Sequence, residues 1–160
     1  VFKRIGRGAI VVFMLAALSC SEAKIPLAQG SLKPSAAGHV LVVNYWAKWC
    51  KPCREEIPEL NILAKQFSQL QVLGVDFDNH RGDELQELIK NMDIQFAVLA
   101  DNNWLSNIHP QLKTRPKVLP TTYLLVFQKS QPRPAIKRLI GQQSAATIVR
   151  QLEAEGLNLL

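Results

Sequence analysis

The chain has 160 residues, about one domain's worth, with 48% hydrophobic and 20% charged residues, a composition that argues against a disordered chain. Its formal charge of +6 falls to +3 once residues 1–19 are set aside, too weak and too scattered for a nucleic-acid footprint. Three cysteines are too few for a disulfide-stapled miniature fold.

The N-terminus reads as an address. Lys3, Arg4 and Arg7 precede an apolar run from Ala9 to Leu18, with Ser19 and Cys20 behind it, which is the pattern of a secretory signal. As a helix the run would reach about 15 Å, half of a ~30 Å hydrocarbon core, so a membrane-spanning helix is the poorer reading. Residues 1–23 are therefore expected to be a signal segment. Ala17-Leu18-Ser19-Cys20 is similar to a bacterial lipobox, which would make Cys20 a lipidated anchor in contact with the membrane. Cleavage after Ser21-Glu22-Ala23, or an uncleaved anchor, are the alternatives. Each delivers the rest of the chain outside the cytoplasm, to a periplasm or cell envelope where disulfides persist. Residues 24–38, with Pro26, Gly30, Pro34 and Gly38, read as a tether or irregular lead-in, and residues 39–158 as the folded domain.

Val40–Trp46 is a nearly continuous apolar run that suits a strand buried on both faces. From Pro52 to about Ser68, apolar residues at 57, 60, 63, 64 and 67 predict a helix, which Pro58 should kink. A strand over 70–77 follows, then a helix over 83–92 with Asp83 as its N-cap. Residues 94–100 predict a short strand and 103–109 a short helix limited by Pro110. Strands over 121–127 and 136–140 should pair across a proline-bearing loop. Ser144 should cap a last helix closed by Gly156. The order β-α-β-α-β-α-β-β-α predicts a three-layer α/β/α sandwich around a mixed sheet.

The chemistry is expected at one junction, Trp49-Cys50-Lys51-Pro52-Cys53, between the first of these strands and the first helix. Two cysteines spaced by two residues can close a disulfide at a helix start, where Pro52 lacks only an amide hydrogen that would have had no partner. The helix dipole and Lys51 both favour a thiolate at Cys50, so Cys50 attacks and Cys53 resolves the mixed disulfide. A closed zinc site needs four ligands, and His39, His80 and His109 are far apart in sequence. A disulfide closing so short a loop contributes little to stability. A thiol peroxidase would not need a second cysteine at this spacing.

The segment Val42 to Pro58 resembles the active-site segment of the thioredoxin superfamily, and within it the extracytoplasmic TlpA/ResA group of thiol-disulfide oxidoreductases. Val118-Leu119-Pro120-Thr121-Thr122-Tyr123-Leu124 is similar to that family's segment with a cis-proline before a strand. The resemblance implies a thioredoxin-like fold over roughly residues 38–156 and a cis bond at Pro120. It implies too that Leu119 can pair its backbone with an extended peptide, and that Glu56 sits beneath the cysteines as a proton relay. Asn44 stands where thioredoxin itself has a buried aspartate, which strengthens the case for Glu56. Trp46 is expected in the core, and Trp49 as an apolar docking face beside an exposed Cys50 sulfur.

The implied activity is reduction of disulfides in extracytoplasmic proteins such as apocytochrome c. No cofactor beyond the cysteine pair is implied, nor any metal or nucleic acid. The chain would act as a monomer fed by a membrane donor of the DsbD/CcdA kind. Lys51 argues weakly for the oxidising direction, because it stabilises the reduced thiolate. The alternative is a binding module in which Cys50 and Cys53 hold copper or another soft metal. Residues 81–117 exceed the linker expected of the group, and their role is open.

Overall fold

In the computed structural model, the described residues are 25–32, 39–157 and 159. Residues 1–23, with Cys20, lie outside them, as do residues 24 and 33–38 of the expected tether. The sheet has six strands among these residues, in the order β1-β4-β3-β2-β5-β6. Its centre is β2 (Val40–Trp46), parallel to β3 (Leu70–Asp76), which is in turn parallel to β4 (Ala97–Leu99). On the other side β5 (Thr121–Val126) runs antiparallel to β2, and β6 (Ala135–Ile140) antiparallel to β5. The sheet is mixed, as the element order requires.

All seven residues of β2 are buried, so a continuous apolar run does mark a strand covered on both faces. Val40, Val42 and Trp46 join Ile57, Leu60 and Leu63 of α1 (Lys51–Gln66), Leu85 and Ile89 of α2 (Gly82–Asn91), and Ile148 and Leu152 of α4 (Ala145–Glu153). Leu41, Val43 and Tyr45 point the other way, into a cluster closed by Leu105 and Leu112. That second layer is thin: α3 (Leu105–Ile108) has four residues, flanked by the 3-10 turns Asn102–Trp104 and Pro110–Lys113. No described helix is long and apolar enough to cross a membrane. Gly74 in β3 is set by close approach, since a Cβ there would meet Phe96 Cε2 at 2.8 Å and Trp46 Nε1 at 3.0 Å.

Four expectations change. The lead-in contains β1 (Leu27–Gln29), which pairs antiparallel with β4, so part of the expected tether belongs to the sheet. Strand β4 is shorter than 94–100 because the carbonyls of Ile94 and Phe96 accept from Gln29 Nε2 instead of from a neighbouring strand. The N-cap of α2 is Arg81, which makes no side-chain cap bond. Asp83 lies in the first turn with Glu84, where a negative charge still favours the helix. The helix over 103–109 is broken up, with Asp101 capping the turn before α3 and His109 the turn after it. By contrast, Ser144 caps α4 as expected, accepting from Thr147 N at 3.1 Å. Pro58 lies inside α1, which continues to Gln66.

Candidate active site at the start of helix α1

Cys50 is the N-cap of α1, and Pro52 occupies the first turn. The Cys50 sulfur accepts from Cys53 N at 3.2 Å and is bonded to the Cys53 sulfur, so the structure describes the oxidised pair. The cap normally offered by a serine or aspartate oxygen is offered here by sulfur. Cys50 is 5% exposed and Cys53 1%. The expected exposed Cys50 is corrected to a nearly buried one, its sulfur turned onto the helix start that it caps. Cys50 is still the more accessible of the two.

Sheet register brings the second motif to the same place. Thr121 pairs with Tyr45, so the start of β5 lies beside the end of β2, from which the chain enters the CxxC loop. The Leu119–Pro120 peptide is cis. Pro120 O accepts from Gly141 N at 2.9 Å, which ties the turn after β6 to this end of the sheet.

Below the cysteines lies a closed polar pocket. Glu56 is fully buried one turn after Cys53. Its carboxylate accepts from Asn44 Nδ2 at 2.9 Å and from Gln143 N at 3.0 Å. The same Asn44 amide donates to Thr122 Oγ1 at 2.9 Å. Burial pushes the Glu56 pKa up from 4.5 to about 7, against the two hydrogen bonds, which pull it down. Asn44 is thus bonded to side chains, not to backbone.

Trp49 is 59% exposed at the shoulder of the site. Its Nε1 donates to Asp78 Oδ2 at 2.9 Å, and its ring meets Phe77 edge-on at 6.2 Å. Trp46, three residues earlier, is fully buried. Lys51 is highly exposed and lies 3.8 Å from Glu55, so its charge is shared with that carboxylate as well as with the helix start.

Sequence reasoning missed Asp78, Thr122 and Gln143. Thr122 pairs directly with Asn44, a fact that needs the register of two strands distant in sequence. Asp78 follows β3, whose end lies beside that of β2. His80, far in sequence from the other histidines, sits 2.7 Å from Asp76 and 3.4 Å from Glu84. Asp76, Asp78 and His80 are close enough to suggest a metal cluster, but the Asp76 carboxylate already accepts from Asp78 N, His80 N and the His80 ring. Neither cysteine belongs to that group.

The fold and a CxxC disulfide at a helix N-terminus beside a cis-proline define a thioredoxin-like protein. Residues 7–129 match the model of the AhpC/TSA family, and the chain belongs to that family. Among curated proteins, the thioredoxin-like protein YneN of Bacillus subtilis is 32% identical over 93 residues, 56% of this chain and 52% of YneN. The thiol-disulfide oxidoreductase ResA of Bacillus cereus is 26% identical over 109 residues, 67% of this chain and 58% of ResA. The chain therefore spans little more than half the length of these relatives. Among solved structures, StoA from Bacillus subtilis superposes with a TM-score of 0.59 at 18% identity, covering 80% of this chain and 93% of StoA. A DsbE-type thiol:disulfide interchange protein from Chlorobium tepidum gives 0.58 at 23% identity, covering 84% and 92%. These superpositions show the fold.

Proposed function

We propose that the chain is an extracytoplasmic thiol-disulfide oxidoreductase that reduces disulfides in other proteins. The observation that carries the proposal is the Cys50–Cys53 pair at the start of α1, with Cys50 as N-cap and the less buried of the two residues. In the reduced protein, the Cys50 thiolate attacks a substrate disulfide, forms a mixed disulfide and releases one substrate thiolate, which takes a proton from solvent. Cys53, its proton passed to the Glu56 carboxylate, then attacks the Cys50 sulfur. The second substrate sulfur leaves as a thiolate and takes a proton from solvent, Glu56 gives the Cys53 proton back to solvent, and the protein is left as the disulfide described here. Two electrons and two protons pass to the substrate, so a dithiol donor must restore the pair.

Trp49, Leu119 and Pro120 form the substrate side of the site, and Lys51 and Pro52 tune the helix start. The supports are the family, the names of the relatives and the signal-like N-terminus, in which Cys20 is the proposed lipid anchor. Apocytochrome c is the proposed kind of substrate and a DsbD/CcdA-like membrane protein the donor, with the chain working as a monomer. No cofactor takes part besides the cysteine pair.

Replacing Cys53 with alanine should trap mixed disulfides through Cys50 in the native envelope. A reduction potential near about −270 mV would fit a reductase, and one near about −120 mV an oxidase. A wild-type chain that fails to turn over a model disulfide, with a C53A variant that traps nothing, would defeat the proposal. Stoichiometric copper without turnover would favour the soft-metal module.

A further inference from the structure

Two basic segments far apart in sequence meet at one end of the sheet, where the end of β2 leads into the CxxC loop beside the start of β5. Segments 48–54 and 113–118 hold six Lys or Arg residues and no Asp or Glu. All six are exposed. Trp49 lies within the first segment, and the second leads into the cis-proline. Arg54 folds back so that its guanidinium donates to Lys48 O at 2.6 Å, placing it against the loop that leads into Cys50. Arg115 donates to Phe77 O at 2.8 Å and lies over the Phe77 ring, 5.7 Å from its centroid. That ring in turn meets Trp49, so Arg115 stands at the same shoulder. Lys117 precedes Val118 and Leu119 on the way to Pro120.

Little neutralises this rim. Of the six, only Lys51 forms an ion pair among the described residues, an exposed one with Glu55. Against the six stand two carboxylates at the same shoulder, Glu55 beside Lys51 and Asp78 beside the Trp49 indole. Within the rim lie exposed apolar side chains: Trp49 at 59%, Val118 at 51% and Ile140 at 55%, the last paired with Thr121 next to Pro120. A partner that reaches the nearly buried Cys50 must therefore offer a narrow apolar segment with negative charge beside it.

We propose that this rim selects, as substrates, disulfides in peptide segments flanked by Asp and Glu. The inference rests on the oxidoreductase reading and names the substrate class for that site. Charges of opposite sign around a reactive centre act chiefly on the rate of encounter, by factors of ~10 to 10³, and are screened over about 8–10 Å at physiological salt.

The test uses the reduced full chain and two synthetic peptides. Each carries one internal disulfide, and they differ only in having Glu or Lys on both sides of the cysteines. The second-order rate of peptide reduction is read from the thiols released. The acidic peptide should react about tenfold faster at low ionic strength, and the ratio should shrink at high salt. A K48E/K117E double variant changes two exposed side chains outside any ion pair, and should reduce the ratio to about one or invert it. Equal rates for the two peptides, or a ratio that the double variant leaves unchanged, would overturn the inference while leaving the oxidoreductase reading intact. So would tight binding to vesicles of anionic lipid with no preference between peptides, which would assign the rim to a membrane surface. Failure to reduce either peptide would defeat both readings.

Discussion

Substituting Glu56 with glutamine tests the polar pocket through stability alone, before any substrate is considered. A carboxyl held at about 7 instead of 4.5 prefers its neutral form in the fold by about 3 kcal/mol. Between those two pH values the unfolded chain has released the proton while the folded chain keeps it, so folding takes up a proton. Stability from this group is therefore complete below about 4.5 and is lost as pH rises through about 7. The substitution removes the titration and roughly conserves the hydrogen bonds. Its amide oxygen can accept from Gln143 N, and its NH₂ can donate to Asn44 if that amide turns. Asn44 Oδ1, buried and without a partner, would then accept that bond, leaving the Asn44 NH₂ in its place. Urea unfolding of the oxidised proteins from pH 4 to pH 8.5 is the assay, because the disulfide keeps both cysteines from titrating. Wild type should lose about 3 kcal/mol relative to E56Q across the range. Parallel pH profiles for the two proteins would refute the assignment.

Other perturbations probe the surrounding structure. Asn44→Asp would set a second carboxylate against Glu56 at the 2.9 Å contact, so unfolding midpoints should fall sharply at pH 8 and far less at pH 5, where the pair holds a proton. Gly74→Ala would force a methyl against Phe96 and Trp46, and thermal unfolding should report a loss of about 1–3 kcal/mol. Trp49→Ala removes an exposed indole with one hydrogen bond and one edge contact, and should cost about 1 kcal/mol or less while raising KM for protein disulfides. Glu59→Ala deprives Ala145 N of its 2.8 Å acceptor at the start of α4, and should cost about 1 kcal/mol in chemical denaturation.

Features carried by local pattern were legible in the sequence, and those carried by register were not. Strand β2 and helix α1 show themselves because burial imposes an apolar run on one and a stripe on the other. The placement of Cys50 and Pro52 follows from what a helix start leaves unsatisfied. Strand β1 could not be seen, for three residues between a proline and a glycine have no periodicity, and a side chain, Gln29, secures the neighbouring carbonyls. The pocket around Glu56 draws on Thr122, 78 residues from Asn44, and on Gln143, 87 residues from Glu56. The basic rim was hidden for the same reason: averaged along the chain its charges look scattered, and only the pairing of β5 with β2 gathers them.

That pairing also explains why an amide suits position 44. A carboxylate there would face Glu56 in a pocket closed to water, and the two would share one proton, titrating as a pair instead of singly. An amide instead supplies two hydrogens from one nitrogen, to Glu56 and to Thr122, and carries no charge of its own. Glu56 is then set by two opposed influences: burial, which favours the acid, and the donors Asn44 and Gln143, which favour the carboxylate. With burial alone the group would stay neutral, and with further donors it would stay ionised. Held between these limits, it can accept the Cys53 proton and return it near neutral pH, as the proposed cycle requires.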